Sequence, residues 1–295
     1  MKKDRYDIMY LKVLFKGFNF SQDGPGNRLV YHLQGCNMRC PWCSTPESFP
    51  LNGSLMLKGF AKSDLCPFDN IKNGKPDFYE CDLCENKPCL DVPGSPLKLS
   101  CKDVSVDDLV LEAERSRAMF FSGGGVTFTG GEPTLQFEPL KEALSRLRSL
   151  GIHTAIETNA SVSKLPELFE HIDWLIMDLK HYDSGKLKET VGIGGETVFK
   201  NFEKAAKMRK QMLVHIPLIN GFNAEAEDAE KFAEFLTALD CPFLQVELLR
   251  YHEFGKDKWA QCGLEYKMKN AFVSDEQYQA FLDVFKSHHL NIVKT

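Results

Sequence analysis

The chain has 295 residues, 43% of them hydrophobic and 26% charged, with a formal net charge of -5. That balance is ordinary for a soluble globular protein and excludes wholesale disorder and a membrane bundle, while the acidity argues against a dedicated nucleic-acid binder, which carries a basic footprint. The length allows one large domain or two, since α/β barrels reach this size as one unit.

At the N-terminus, "MKKDRYDIMYLKVLFKGFNF" interleaves charge with its apolar residues and lacks the unbroken apolar core of a signal peptide. No run approaches transmembrane length, so a cytoplasmic protein is expected, with no membrane partner. Thiols stay reduced in that compartment, and the ten cysteines are expected to be metal ligands or buried hydrophobes rather than disulfides. Eight lie from Cys36 to Cys101, whereas Cys241 and Cys262 stand apart and read as structural thiols.

The first expected strand is "RLVYHLQ", and it leads directly into Cys36, Cys40 and Cys43. A structural zinc site takes four protein ligands and a disulfide framework an even number, so three thiols suggest a cubane cluster that leaves one iron open. The C-x3-C-x2-C spacing lets one short loop at the C-terminal end of a strand wrap a cluster corner, the end where α/β barrels place their active sites. On spacing alone, a zinc site completed by His32 or a fourth cysteine remains open.

Residues 46–103 break the rhythm of the chain, being rich in Pro, Gly, Asn, Lys and Cys with little periodicity. A structureless loop of that length is improbable inside a compact domain, so an insertion stapled by its five cysteines is expected. These are Cys66, Cys81, Cys84, Cys89 and Cys101, with C-x2-C-x4-C at the centre. The domain reading is therefore a main unit of residues 1–45 and 104–295, and an insertion of residues 46–103.

Beyond residue 104 the pattern alternates. Helix-like "SVDDLVLEAERSRAMF", "FEPLKEALSRLRSLG", "VSKLPELFEHI", "TVFKNFEKAAKMRK", "AEDAEKFAEFLTAL" and "SDEQYQAFLDVFKSHH" are separated by the strand-like "GVTFTGGE", "IHTAIET", "DWLIMDLK", "QMLVHIPLI", "PFLQVELL" and "LNIVKT". Alternation on this scale means βαβ units and a parallel sheet. Six strands with a possible seventh suit a partial or full barrel better than a Rossmann sheet, though periodicity leaves closure open.

The triad with Trp42 before its last cysteine resembles the signature of the radical S-adenosylmethionine superfamily. "SQDGPGNR" from Ser21, "SGGGVTFTGGEP" from Ser122, "ETNA" from Glu157, "MDLKHYD" from Met177 and "LLRYHEFGKDKW" from Leu248 resemble, in order, motifs of the glycyl-radical-enzyme activating enzymes. The resemblance covers nearly the whole chain outside the insertion. It implies a partial (β/α) barrel of about six parallel strands with a cysteine-rich, ferredoxin-like insertion after the first.

It also implies a mechanism. A 4Fe-4S cluster on Cys36, Cys40 and Cys43 chelates the methionine end of S-adenosylmethionine, and one electron cleaves the sulfonium to give a 5′-deoxyadenosyl radical. Gly130, Gly131 and Glu132 would meet the methionine ammonium, through backbone free of Cβ atoms or through the Glu132 carboxylate. Glu157 and Asn159 fall near the ribose and carboxylate, Lys180 pairs with that carboxylate, and Glu157 with Asp178 offers oxygens to a monovalent cation. His252 matches a histidine near the cofactor, and Trp42 would pack by the adenine.

Two departures put individual contacts in doubt: His215 stands where these activases usually carry arginine, and Thr45 replaces a common asparagine. Five insertion cysteines cannot fill two cubanes, so one auxiliary 4Fe-4S cluster is expected on Cys81, Cys84, Cys89 and either Cys66 or Cys101, with structural zinc the alternative. The implied partners are a glycyl radical enzyme as protein substrate and a low-potential donor such as flavodoxin or ferredoxin, with the chain acting as a monomer. The rival readings are a radical enzyme acting on a small molecule or peptide, and an iron-sulfur electron-transfer protein. The later-strand motifs argue against the second rival.

Overall fold

The computed structural model describes residues 8–18 and 21–295. The chain opens with β1 (Tyr10–Phe18), which pairs antiparallel with β2 (Arg28–Leu33). The sequence pattern gives no sign of β1, because the alternation in "YLKVLFKGF" is interrupted by a bulge between Val13 and Phe15. β2 is almost wholly buried, as a central parallel strand should be.

Between β2 and the main helices, residues 46–101 form a small body with its own apolar cluster. Here β3 (Leu55–Leu57) pairs antiparallel with β6 (Leu97–Leu99), and β4 (Ile71–Lys72) with β5 (Lys75–Pro76). Helix α1 (Phe78–Leu83) starts where the Asp77 side chain accepts from the backbone of Tyr79 and Glu80. Leu55, Leu57, Ile71 and Leu97 pack with Cys81 and Cys89, a thin core for a segment of this length. The main sheet takes up the chain again at β7 (Lys102–Ser105), antiparallel to β1.

From α2 (Val106–Arg115) the expected alternation holds. β8 (Gly125–Gly130), α3 (Phe137–Ser149), β9 (His153–Thr158), β10 (Trp174–Asp178), α4 (Ser184–Val191), α5 (Glu196–Lys207), β11 (Met212–Leu218), α6 (Ala226–Ala238), β12 (Leu244–Arg250), α7 (Lys256–Gln261) and α8 (Asp275–Ser287) follow in order. The helices bury residues three and four apart, such as Leu140, Ala143, Leu144 and Leu147 on α3. Residues 165–171 are a 3-10 helix rather than a full α-helix, with Pro166 in its first turn. "LNIVKT" contributes only a bridge between Val246 and Ile292, so the seventh parallel strand does not form.

The result is one open sheet in the order β12-β11-β10-β9-β8-β2-β1-β7. Its six parallel strands, β2 and β8 through β12, lie in chain order and send all six C-terminal ends the same way. The helices close one apolar core on it.

Arg28 locks the start of β2 to its neighbours. Its guanidinium is fully buried and donates to the Thr127 hydroxyl at 2.6 Å, to the Val126 carbonyl at 2.7 Å and to the Pro25 carbonyl at 3.1 Å. Burial lowers its pKa to about 10 against the pull of Asp23 and Asp173, so it remains a cation at neutral pH. Arg28→Met should lower stability by about 3 kcal/mol, since buried acceptors lose a charged partner, and Arg28→Lys should not restore it because an ammonium cannot span the same fork. Urea unfolding of the three proteins checks this; equal midpoints for wild type and Arg28→Met would contradict it.

Candidate functional site

The common direction of the parallel strands gathers residues distant in sequence around a cavity of about 360 Å³. The loop after β2 lays Cys36, Cys40, Trp42 and Cys43 against it, and β8 ends there in Gly130 and Gly131. Glu157 and Asn159 enter from β9, Asp178 and Lys180 from β10, His215 from β11, and His252 from just beyond β12. Every cysteine is a free thiol. Burial pushes the Cys36 thiol up to about 12 and also raises Cys40 and Cys43, while the Lys180 ammonium pulls Cys36 and Cys40 back. Such thiols ionise when a metal bonds them.

The cysteine loop is held from several sides. Gly35 N–H donates to the Ser48 carbonyl at 2.8 Å and Cys36 N–H to the Phe49 carbonyl at 3.2 Å, so the loop closes on itself. The Gln34 amide donates to the Glu47 carbonyl at 2.8 Å. From the far end of the chain, Trp259 Nε1 donates to the Cys43 carbonyl at 2.9 Å and Lys258 meets the buried Glu47 carboxylate at 2.7 Å. Trp259 lies inside the quoted "LLRYHEFGKDKW", but nothing in the pattern indicated that its partner would be a carbonyl more than two hundred residues away.

The "GGE" turn is tied to the same loop by backbone. Gly131 N–H donates to the Leu33 carbonyl at 2.9 Å and Glu132 N–H to the Gly35 carbonyl at 2.6 Å. Gly130 holds φ +115°, and a Cβ on Gly131 would stand 2.2 Å from the Gly35 oxygen. The Glu132 carboxylate does not reach the cavity as the sequence reading allowed. It is fully buried and already engaged, accepting from Thr134 N–H at 3.0 Å, the Thr158 hydroxyl at 2.8 Å and Asn159 N–H at 2.7 Å, as well as from the Thr134 hydroxyl. With no oxygen left facing the cavity, it supports the wall from behind. Asn159, held there, donates to the Asn37 side-chain oxygen at 3.1 Å and so touches the cysteine loop.

Charge is layered across β9 to β12. The strand register sets Asp178 beside His215 and His215 beside Glu247. His215 Nδ1 lies 3.0 Å from Glu157 and Nε2 3.5 Å from Glu247. Burial works against protonation of the ring, but the two carboxylates overcome it and raise its pKa to about 10. Glu157 is driven the other way, to about 2: burial would raise it, and the His215 and Thr129 hydrogen bonds prevail. Asp23, burdened by burial and by Glu157, rises to about 8. Lys180 pairs with Asp178 at 2.8 Å; burial would lower its pKa, yet the carboxylate keeps it above the ordinary lysine value. The "SQDGPGNR" pattern gives Asp23 no role, and local spacing marks neither Thr129 nor Glu247, because each acts only through a neighbour distant in sequence.

Around the cavity mouth, Trp42 packs on Phe222 with ring centroids 4.9 Å apart, and His252 is exposed. In the insertion, Cys66, Cys81, Cys84 and Cys89 line a second, small cavity. Lys87 Nζ ties that loop by donating to the Cys81 and Cys84 carbonyls at 2.7 and 2.6 Å. Cys101 does not join them; its sulfur packs beside Gly53. Cys241 and Cys262 lie outside both cavities, in keeping with plain structural thiols.

The raised His215 pKa fixes a sign. Its contribution to stability is complete below the ordinary value of 6.5 and is lost as pH rises through about 10. Wild type should therefore lose thermal stability relative to His215→Gln between pH 6.5 and 10. Melting curves across that window check it, and parallel curves would mean that no imidazolium is held there.

The family described as the Radical SAM superfamily matches residues 30–236. The 4-hydroxyphenylacetate decarboxylase activating enzyme of Clostridioides difficile is 33% identical, covering 92% of both chains. The (2S)-3-sulfopropanediol dehydratase activating enzyme of Klebsiella oxytoca is 32% identical over 90% of both, and the pyruvate formate-lyase-activating enzyme of Staphylococcus epidermidis 28% identical over 86% of both. Streptococcus suis SuiB bound to S-adenosylmethionine shares the fold, with a TM-score of 0.55 at 16% identity over 90% of this chain and 49% of that one. The chain belongs to the radical S-adenosylmethionine superfamily, within its family of glycyl-radical-enzyme activating enzymes.

Proposed function

We propose that this protein generates a glycyl radical on a large partner enzyme, taking its electron from a flavodoxin- or ferredoxin-like donor and working as a monomer. The observation that carries the reading is the set of three free thiols, Cys36, Cys40 and Cys43, on one wall of a cavity whose other walls carry the Lys180 ammonium and the Cβ-free backbone of Gly130 and Gly131. Three thiolates suit a cubane with one open iron, and the polar walls suit an amino acid. When bound, the cluster and S-adenosylmethionine supply one electron to the sulfonium and a carbon radical able to take hydrogen from a glycine α-carbon.

The chain's own residues bind and orient. Lys180 would meet the methionine carboxylate, with Asp178 keeping it charged, and the Gly130–Gly131 backbone would meet the ammonium. Glu132 positions that turn without touching the ligand. Asn159, Trp42 and His252 border the rest of the cofactor. Glu157, Asp178 and His215 each bring a ligand atom within 4.8 Å of the others, a group able to hold the expected monovalent cation. When the His215 ring is protonated it supplies the positive charge between the carboxylates itself.

The insertion is proposed to hold one auxiliary 4Fe-4S cluster on Cys66, Cys81, Cys84 and Cys89, the four that share a cavity, with Cys101 left out. Its thin apolar core supports a stapled module.

Anaerobic reconstitution tests both sites. Wild type should bind about eight irons per chain, two cubanes, and release 5′-deoxyadenosine when reduced. Replacing Cys36, Cys40 or Cys43 with Ala should abolish that release and remove about four irons. Replacing Cys81 and Cys84 together should remove about four irons while cleavage persists. Normal release from any triad variant would overturn the radical site, and stoichiometric zinc would overturn the auxiliary cluster.

A further inference from the structure

The cavity sets a limit on how a protein substrate can be met. At about 360 Å³ it stands near the small end of ligand pockets, which run from about 300 to 1,000 Å³. A nucleoside-bearing amino acid and a cluster corner fill such a space. A glycine carried by a polypeptide therefore has to cross the mouth in extended form, and the mouth must grip the chain on either side of it.

Two phenylalanines pack against residues that line the cavity. Phe254 is 85% exposed, and its ring stacks on the cavity-lining His252 with centroids 4.3 Å apart and planes 21° apart. Phe272 is 62% exposed and meets the cavity-lining Tyr251 in an edge-on contact at 4.9 Å. Scattered exposed apolar residues are ordinary on a protein surface. These two differ in being mounted on rigid backbone beside the site. Gly255, next to Phe254, packs so closely on the cysteine loop that a Cβ would lie 2.4 Å from Ser44 Cα. Phe272 sits between the buried Ala271 and Val273, and the Ala271 carbonyl accepts from Asn220 N–H at 3.0 Å. Each exposed ring thus has a fixed position and no covering group among the described residues.

We propose that Phe254 and Phe272 form the seat for the glycine-bearing loop of the partner enzyme, covering its apolar side chains and stretching the glycine over the cavity. Rigid aromatic rings are the residue type that concentrates binding energy at interfaces, because they bury large area at small entropic cost. Phe121 is 76% exposed but precedes β8, at the opposite ends of the strands. The inference rests on the function proposed above.

The experiment uses the holoenzyme and the glycyl radical enzyme that it activates, with glycyl radical formation followed by electron paramagnetic resonance at varied partner concentration. Phe254→Ala and Phe272→Ala should each raise the KM for the partner roughly tenfold or more, the loss expected for truncating a well-seated aromatic. Phe254→Leu should recover part of the loss, and Phe121→Ala should not differ from wild type. Release of 5′-deoxyadenosine without partner separates this claim from the one beneath it. If partner-free release falls in step with activation, the rings serve the cofactor and the seat is overturned. It is equally overturned if both alanine variants keep a KM within twofold of wild type. Wild type that releases 5′-deoxyadenosine but radicalises no glycyl enzyme refutes the proposed function itself, and the seat with it.

Discussion

The site depends on one buried carboxylate. Glu132 has no solvent contact, and its two oxygens accept from the Thr134 backbone and hydroxyl, the Thr158 hydroxyl and the Asn159 backbone. Its own N–H holds the Gly35 carbonyl. Three loops, those after β2, β8 and β9, are therefore pinned at a single residue. Burial raises its pKa, and the donors around it oppose that shift, the arrangement a buried carboxylate needs in order to remain an acceptor. Without this node the cysteine loop would keep its sequence and lose its fixed distance from the opposite wall.

Around that node the parallel register does the rest. Because six strands run the same way, residues at equivalent heights form rows, and one row reads Asp178, His215 and Glu247 across three adjacent strands. A cation between carboxylates in a closed space is held by geometry more than by net charge. The same row explains the charge on His215: burial opposes it, and the carboxylates on either side hold the ring protonated. On the other flank, Trp259 and Lys258 of α7 reach the cysteine loop from the C-terminal part of the chain, so the loop is clasped by both ends of the fold.

Much of this was legible in the sequence. The six parallel strands showed as apolar runs between amphipathic helices, and the triad, Glu157, Asn159, Asp178, Lys180, His215 and His252 do border one cavity. What was hidden is pairwise. β1 was hidden because its alternating pattern is interrupted by a bulge between Val13 and Phe15, and β7 because four residues carry too little period. The Glu132 carboxylate was assigned toward the ligand because "GGE" names a turn without saying which way its side chain faces. The contacts of Asp23, Thr129, Glu247 and Trp259 are set by strand register and helix docking, which no local spacing encodes. That Cys66, and not Cys101, shares the small cavity with the other insertion cysteines is likewise a matter of folding that no local spacing encodes.

The central claim is that a radical made beside Cys36, Cys40 and Cys43 takes its hydrogen from a glycine of another protein. The most direct measurement is isotopic: partner enzyme made with α-deuterated glycine is activated by reduced holoenzyme, and the 5′-deoxyadenosine is weighed by mass spectrometry. The account predicts one deuterium in the 5′-deoxyadenosine formed for each glycyl radical. Glycyl radical formation with unlabelled 5′-deoxyadenosine would contradict it.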